Sequence, residues 1–280
     1  MRKSFSKRNR SKKVELLAKV YDHAKHAYKF GFRMLTLGWS DGSTFLPVSS
    51  VLLSSENKKN RITEATALDK RTVGYKRRQL SMQKGTSAML ELLKQAKNIA
   101  IPAKYVLYDS WFSSPSSIHA VKEIGYDVIA MVKNTPKMFF RYNGEDMSLI
   151  AIFNKNKKRR GRSRYLLSVM VDVVKDRKVI PAKVVYVRNR NRRKEYLCII
   201  SSDTKLDENV FPFLEQKRRI PRESSDLSHL FPRGILLILF ILSLHHYFCA
   251  HKKNHPFSFL RTLFYAVFSS IFPSNFFNFP

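Results

Sequence analysis

The sequence predicts an α/β fold in which a parallel β-α-β unit is followed by an antiparallel, β-rich segment. Residues 86–132 alternate between amphipathic helical patterns and short apolar runs, the order that builds parallel sheets. Residues 139–200 then carry several short alternating runs separated by charged turns, which is typical of antiparallel strands. The length of 280 residues allows one large domain or two small ones.

The charge balance favours nucleic acid as a partner. The chain has 52 Lys and Arg against 21 Asp and Glu, a formal net charge of +31. Such an excess attracts phosphate backbones through counterion release. A ribosomal-type basic protein and a membrane-surface protein are the alternatives. The two cysteines, Cys198 and Cys249, lie far apart without zinc-ligand spacing, which argues against a zinc site or a disulfide framework.

The first third of the chain shows four kinds of segment. Residues 1–13 are almost wholly basic and polar and predict an arm outside the core. Apolar positions at helical spacing predict a short amphipathic helix over residues 14–21. Apolar runs at 28–39 and 44–52 flank a polar turn and predict a β-hairpin. Residues 54–85 predict an exposed polar loop, lying either against phosphates or simply in solvent.

The middle of the chain predicts the β-α-β unit. An amphipathic helix is expected over residues 86–100, with Ser87 able to cap its start. The aromatic and β-branched run 105–108 predicts a buried central strand. A second helix, 116–124, and a second buried strand, 126–132, complete the unit.

Asp109 is the candidate functional residue of this unit, because it ends the central strand. Ligands of open α/β sheets collect at the carboxyl ends of the strands. In so basic a chain, a carboxylate at that place is a candidate metal ligand facing a polyanion. The alternative is an ordinary turn-forming Asp after a buried strand.

The antiparallel part predicts strands at 147–153, 165–174, 179–187 and 195–200. Two basic segments between them, 155–162 and 188–194, are predicted to be hairpin tips, which track nucleic-acid backbones without reading bases. Charge kept for solubility is the alternative. The candidate DNA-binding side chains are Lys157, Lys158, Arg159, Arg160, Arg162, Arg188, Arg190, Arg192, Arg193 and Lys194.

Several segments in order resemble the DDE transposases of bacterial insertion sequences, specifically the IS-four-like group. They are residues 10–23, 30–39 with 44–48, Tyr108-Asp109-Ser110-Trp111-Phe112, and 201–208. The resemblance implies an RNase H-like mixed sheet with a β-rich insertion over residues 139–200. It also implies two-metal phosphoryl transfer, in which two Asp and one Glu hold Mg²⁺ ions.

The resemblance carries over one acid, Asp109, as a catalytic and metal-binding residue. The family's first Asp is expected where Met1-Arg2-Lys3 stand, and its Tyr-x2-Arg-x3-Glu-x6-Lys helix has no counterpart. Glu223 lies near the expected distance but closely follows a proline, and Asp22 and Asp41 stand in unlike contexts. The fold is therefore expected to be incomplete at both ends, with Mg²⁺ binding weakened and cleavage activity lost.

The composition changes after about residue 210, where Phe, Leu, Ser, His and Pro dominate. The predicted organisation is a basic arm (1–13), a transposase core (14–208) and an aberrant apolar tail (209–280) produced by a frameshift. The apolar run 234–244 is short for a membrane span, which needs about 20 residues. A membrane anchor and a buried core helix are the alternatives for this run.

The resemblance thus implies a DDE-type DNA transposase that is catalytically incomplete. Transposon ends and target DNA are the expected partners; a homodimer is left open, and neither a small-molecule substrate nor membrane attachment is expected. The basic amino terminus lacks the apolar run of a signal peptide. The resemblance implies a bacterial cytoplasmic, nucleoid-associated location. The alternative function is a non-catalytic basic protein that binds nucleic acid.

Overall fold

The computed structural model describes residues 14–22, 26–41, 45–161, 163, 165–189 and 195–211, with the backbone alone for Asp22 and for Ile235–Ile241. These residues form a large mixed sheet and four α-helices, which confirms the predicted α/β class. The chain divides into two compact units: residues 1–37, 47–92 and 239–280, and residues 38–46 and 93–238.

The first strands are β1 (Ala18–Asp22), β2 (Ala27–Gly31), β3 (Arg33–Ser40) and β4 (Phe45–Leu53). The predicted helix over 14–21 is wrong, because β1 pairs antiparallel with β2 and its Ala18, Lys19 and Val20 are alternately buried and exposed. The predicted β3–β4 pair is confirmed, since the two strands are neighbours in the sheet. The predicted strand 28–39, however, is divided between β2 and β3.

The polar stretch 54–85 is not a continuous loop. It contains a 3₁₀ turn, Lys58–Asn60, and helix α1, Val73–Ser81, whose start is capped by Thr72. Helix α1 has no apolar stripe by which the sequence could predict it, because Ser81 is its one buried residue. Helix α2, Gly85–Asn98, confirms the next prediction, but Ser87 lies inside its first turn and does not cap it.

The β-α-β unit is confirmed. Strand β5 (Tyr105–Tyr108), helix α3 (Pro115–Ile124) and strand β6 (Asp127–Val132) follow in order, and β5 pairs with β6 in parallel. Helix α3 ends at Gly125, which has a φ of 95° and can adopt this left-handed conformation without a Cβ clash.

The antiparallel part contains β7 (Phe139–Tyr142), β8 (Glu145–Ser148), helix α4 (Leu149–Lys155), β9 (Tyr165–Lys175), β10 (Lys178–Arg188) and β11 (Tyr196–Ser201). The predicted strand 147–153 is correct for Met147 and Ser148 of β8 and wrong from Leu149 onward, because Ser148 caps α4 by accepting a hydrogen bond from the N–H of Ala151. The strands β9, β10 and β11 confirm the other three predictions and pair antiparallel in sequence.

The apolar tail contributes a strand to this sheet. Strand β12 (Ile235–Ile241) pairs in parallel with β5, opposite β6, in the order β12-β5-β6-β11-β10-β9-β7-β8. The predicted alternatives of a membrane helix or a buried core helix are therefore wrong for these residues. Among the described residues, no helix is long and apolar enough to cross a membrane.

The core of the second unit packs on both faces of the sheet. On the α3 side, Nε2 of the buried His119 donates a hydrogen bond of 2.9 Å to the carbonyl oxygen of Val173. The other cluster consists of Tyr105, Ile129, Tyr165, Val185, Val187, Ile199, Leu206, Val210 and Phe211. Tyr105 belongs to this cluster and Leu107 packs against it, so one face of β5 is anchored in the core directly before Asp109.

Candidate nucleic-acid interface

Asp109 lies where the sequence predicted, directly after the last residue of β5. Strand β5 has a parallel neighbour on each side, β6 and β12, so Asp109 stands at the carboxyl edge of the parallel part of the sheet. Substrates and cofactors of open α/β sheets bind at such edges. This position makes Asp109 a candidate functional residue.

The turn after β5 fixes the Asp109 carboxylate. Its Oδ1 accepts a hydrogen bond of 2.6 Å from the N–H of Ser110, and its main-chain carbonyl accepts one of 3.0 Å from the N–H of Phe112. Phe112 is buried, and Ser114 caps α3 by accepting a hydrogen bond of 3.2 Å from the N–H of Ser117. The half-buried carboxylate is thus held between a packed strand and a capped helix.

Two aromatic residues flank Asp109 differently. Tyr108 is buried, and burial raises the pKa of its hydroxyl well above its usual value, so it is neutral at physiological pH. Trp111 is 50% exposed. The Nζ of Lys133, the residue directly after β6, lies 4.8 Å from the centroid of the Trp111 ring. A carboxylate, an exposed indole and an ammonium group therefore stand at one edge.

The strand register places the two basic segments at the same edge. Val132, the last residue of β6, pairs with Cys198 near the start of β11, and Arg188 at the end of β10 pairs with Tyr196. Strand β9 is antiparallel to β10, so it also begins at this edge. Adjacent strands lie about 4.8 Å apart, so the edge from β5 to β9 is roughly 19 Å long. Asp109 stands at one end of it.

We define the edge basic surface by its described cations: Lys133, Lys157, Lys158, Arg159, Arg160 and Arg188. Among the residues that the structure describes, none of these six is ion-paired with a carboxylate. Aromatic rings position two of them: Lys158 Nζ lies 4.8 Å from the Phe153 centroid, and the Arg159 guanidinium 4.2 Å from that of Tyr165. Their positive charge is available to a polyanion.

Five of the ten predicted DNA-binding residues lie outside the residues that the structure describes. They are Arg162, Arg190, Arg192, Arg193 and Lys194. The segment 189–195 joins β10 to β11 and is a hairpin connection, as predicted. The segment 156–164 follows α4, so it joins a helix to a strand and the prediction of a hairpin tip is wrong there.

Comparison with protein-family models matches residues 4–195 to the family described as DDE superfamily endonuclease. The match spans more than half of the 280 residues and includes Asp109 and both basic segments. This chain belongs to the DDE superfamily endonucleases. No curated protein and no solved structure gives a significant match.

A DDE endonuclease typically uses divalent metal ions, which need several carboxylates close together. Within the described ranges, no group of three or more His, Cys, Asp or Glu residues is placed to hold a metal ion. Asp109 supplies one carboxylate, and Asp41, directly after β3, belongs to no such group. The side chains of Asp22 and Glu223 lie outside the described residues. The described acids thus do not fit a complete metal centre of this DDE endonuclease.

The opposite, amino edge of the sheet carries a polar cluster that the sequence did not predict. Asp203 Oδ2 accepts hydrogen bonds of 2.7 Å from both Lys104 Nζ and the Tyr105 hydroxyl. Burial raises the pKa of Asp203, but these hydrogen bonds outweigh burial and hold it below its usual range. No local pattern signals the cluster, since nearly 100 residues separate its members in the chain. It ties the start of β5 to the segment after β11 in this DDE endonuclease.

Proposed function

We propose that this DDE endonuclease is a DNA transposase of the IS-four-like group with an RNase H-like fold and a β-rich insertion over residues 139–200. Asp109 is its catalytic, metal-binding carboxylate, and transposon ends and target DNA are its substrates. The observation that carries the proposal is that Asp109 shares one sheet edge with six cations that have no ion pair among the described residues. The proposed setting is the bacterial nucleoid.

The edge basic surface matches a DNA backbone in charge and length. Phosphates of one strand recur every 3.4 Å or so along the helix axis, so an edge of roughly 19 Å spans about five or six of them. Exposed Lys and Arg side chains bind phosphates without reading base identity. A strand lying along the edge from Arg188 would therefore bring one phosphate to Asp109.

We further propose that this copy does not cleave DNA on its own. Two-metal phosphoryl transfer needs several carboxylates around the ions, and within the described ranges no group of three or more His, Cys, Asp or Glu side chains is placed to hold a metal ion. Binding through the edge basic surface does not need such a group. DNA binding and DNA cleavage should therefore separate in this chain.

The first experiment tests cleavage. The full chain is incubated with supercoiled plasmid and Mg²⁺ or Mn²⁺, beside its Asp109→Asn variant. Equal, background nicking in both is expected, because Asp109 belongs to no group of three or more potential metal ligands among the described residues. Nicking by the unmodified chain that disappears in Asp109→Asn would refute the claim of inactivity and support a complete site.

The second candidate function is a non-catalytic protein that coats nucleic acid, favoured by the exposed cations. It predicts affinity that falls steeply with salt and is the same in Asp109→Asn. The test variant is Lys157→Ala/Arg160→Ala/Arg188→Ala; Arg188→Ala/Arg190→Ala/Arg192→Ala/Arg193→Ala extends it. The matched control is Lys175→Ala/Arg177→Ala/Lys178→Ala, at the β9–β10 turn on the opposite edge of the same strands.

The expected result is weaker DNA binding by the first triple variant and near-normal binding by the control. The slope of log affinity against log salt should shrink by about 0.9 for each phosphate that the variant no longer neutralises. Equal reductions of affinity in both variants would show that net charge alone, without the edge, governs binding. That outcome would remove the edge basic surface from both candidate functions.

A further inference from the structure

Strands β7, β9 and β10 each leave a large apolar side chain in solvent. Phe139, Met170 and Val179 are 56%, 48% and 49% exposed. The residues that follow in β7 and β9, Phe140 and Val171, are only 1% and 3% exposed. Successive residues of a strand point to opposite faces of the sheet. One face of β7 and β9 is therefore packed in the core, and Phe139 and Met170 lie on the other.

The strand register puts Val179 on that same exposed face. Directly paired residues of neighbouring antiparallel strands point to one face. Val179 of β10 pairs with Val174 of β9, which shares its face with Met170. The pairing of β7 with β9 likewise makes Phe139 level with Val174. We define the outer hairpin face by Phe139, Met170, Asp172, Val174, Val179 and Pro181.

The segment after β11 covers this side of the sheet only in part. Ser168, two residues before Met170, donates a hydrogen bond of 3.2 Å to Glu208 Oε1. Lys183, which pairs with Met170, donates one of 2.8 Å to the carbonyl oxygen of Leu206. The outer hairpin face begins where this cover ends and continues to the β9–β10 turn. An exposed apolar patch with a polar rim is typical of an interaction site.

The charge of the outer hairpin face differs from that of the chain as a whole. The net charge of +31 makes two copies repel each other over most of their surface. On this face, Arg141 Nε lies 3.3 Å from Asp146 Oδ1, and Asp172 pairs in register with Arg141. One cation thus stands against two carboxylates. A second copy of this basic chain can approach here without net repulsion.

The β9–β10 turn supplies a cation that fits Asp172 of another copy. Asp176 and Arg177, with φ of 45° and 65°, form this two-residue turn. Arg177 is exposed, and among the described residues neither it nor Asp172 has an ion pair. Five residues of strand span roughly 17 Å, so Arg177 and Asp172 do not meet within one chain.

We propose that the outer hairpin face is a homodimer interface, which a second copy of this chain covers by two-fold symmetry. The axis runs across the strands along the row Phe139, Val174 and Val179, between two sheets packed face to face about 10 Å apart. Residues on the axis then contact their own copies. Residues on either side of the axis exchange places, so Arg177 of each chain lies against the partner's Asp172.

The size and placement of this face define the dimer further. It measures roughly 14 Å from β8 to β10 and roughly 20 Å from Met170 to the turn, which is small for a protein interface. Small interfaces hold weakly, so we expect a dissociation constant in the micromolar range. The edge basic surface lies at the other end of β10, beyond Arg188, and stays free in both copies. Losing the dimer should therefore leave the affinity of one chain for short DNA unchanged.

Sedimentation equilibrium of the full chain without DNA tests the interface. A monomer–dimer equilibrium is expected over total concentrations of about 1–100 μM. Val179→Glu places two carboxylates against each other at the axis and should weaken the dimer at least tenfold. Ile99→Glu, the same kind of change at another exposed aliphatic residue (68% exposed), is the matched control and should leave the dissociation constant within about twofold.

A reversal of the proposed ion pair gives the sharper result. Asp172→Arg and Arg177→Asp should each weaken the dimer by roughly tenfold, because like charges then meet across the interface. The double variant restores opposite charges and should return to within about threefold of the unmodified chain. Misfolding cannot produce this recovery, so the test stays valid if Val179→Glu does not fold.

Three outcomes would overturn the inference. They are a chain that stays monomeric over the whole concentration range, a dimer weakened equally by Val179→Glu and Ile99→Glu, and a double variant no stronger than its single variants. None of them affects the proposed function, because the dimer is measured without DNA and DNA binding is measured on the edge basic surface. Conversely, a dimer with the expected variant pattern in a chain that binds no DNA would support the inference and overturn the function.

Discussion

Arg188 joins the two basic segments, because its Nη2 donates a hydrogen bond of 3.0 Å to the carbonyl oxygen of Gly161. The bond links the end of β10 to the connection before β9. A second contact, from the N–H of Arg159 to the carbonyl of Leu166 at 2.7 Å, holds the same connection against β9. The edge basic surface is therefore partly ordered by main-chain carbonyls before any DNA arrives.

Arg188→Lys separates the charge of Arg188 from its bond to Gly161. Lysine keeps the positive charge but cannot reproduce the planar guanidinium geometry. We expect faster amide hydrogen exchange over residues 157–161 and weaker DNA binding, with an almost unchanged dependence of affinity on salt. Arg188→Ala should speed exchange similarly and also reduce the salt slope by about 0.9. Unchanged exchange in both variants would show that the bond does not order the segment.

The Ser202 hydroxyl links the segment after β11 to the start of β6. Its Oγ accepts a hydrogen bond of 2.9 Å from the N–H of Val128 and donates one of 2.8 Å to Asp127 Oδ1. Ser202→Ala leaves the Val128 N–H buried without its acceptor, which typically costs about 1–3 kcal/mol. Denaturant unfolding should show this decrease in the free energy of unfolding. Ser116→Ala, on the exposed surface of α3, is the matched control and should stay within about 0.5 kcal/mol of the unmodified chain.

The sequence was most informative where the signals are local. Strand β5, helix α3 and strand β6 were predicted closely, because a buried run, a Ser-Pro helix start and a C-terminal glycine occur in order. Strand β1 was predicted as a helix, since a short apolar run fits both periods and pairing with β2 decides. Helix α4 was predicted as a strand for the same reason, and its capping residue Ser148 was the overlooked signal.

The candidate site was predictable in one part only. A buried run ending in an acid placed Asp109 correctly at the end of β5. The sharing of one edge by Asp109 and Arg188 depends on the order and register of β6, β11 and β10, which no local pattern encodes. Long-range pairing likewise brings Asp203 to Lys104. The sequence therefore identified Asp109 and the basic side chains as candidates, but it could not show that they share one edge of the sheet.

The pH dependence of the first unit follows from Glu15. Hydrogen bonds from Arg78 and Thr66 lower its pKa from 4.5 to about 2. Because the folded-state value is the lower one, the stabilising contribution is complete above pH 4.5 and disappears as the pH falls toward 2. The difference in unfolding free energy between the unmodified chain and Glu15→Gln should therefore shrink across this window.

Glu56→Gln is the control for that series, since it makes the same chemical change at an exposed carboxylate of the same unit, paired with the exposed Lys84. Its difference from the unmodified chain should be small at every pH, because exposed ion pairs contribute little. Equal pH profiles for Glu15→Gln and Glu56→Gln would show that the bond between Glu15 and Arg78 adds nothing specific to stability.

The tail strand β12 supplies a main-chain partner for β5. Its residues 235–237 pair in register with residues 105–107. The proposed frameshift origin of the tail does not conflict with this pairing. Ile and Phe favour strands, and an apolar run of any origin can satisfy the main-chain groups of a buried neighbour.

Leu236→Pro tests whether the strand supports the site. Proline removes a ladder donor and fits poorly in a central strand, so β5 should lose partners next to Asp109. We expect faster hydrogen exchange at residues 105–108 and an unfolding free energy lower by about 1–3 kcal/mol. Leu236→Val, which keeps the main-chain N–H and an apolar side chain, is the matched control and should leave both nearly unchanged. If residues 105–108 exchange at the same rate in both variants, β12 does not stabilise β5, and the position of Asp109 depends on β6 alone.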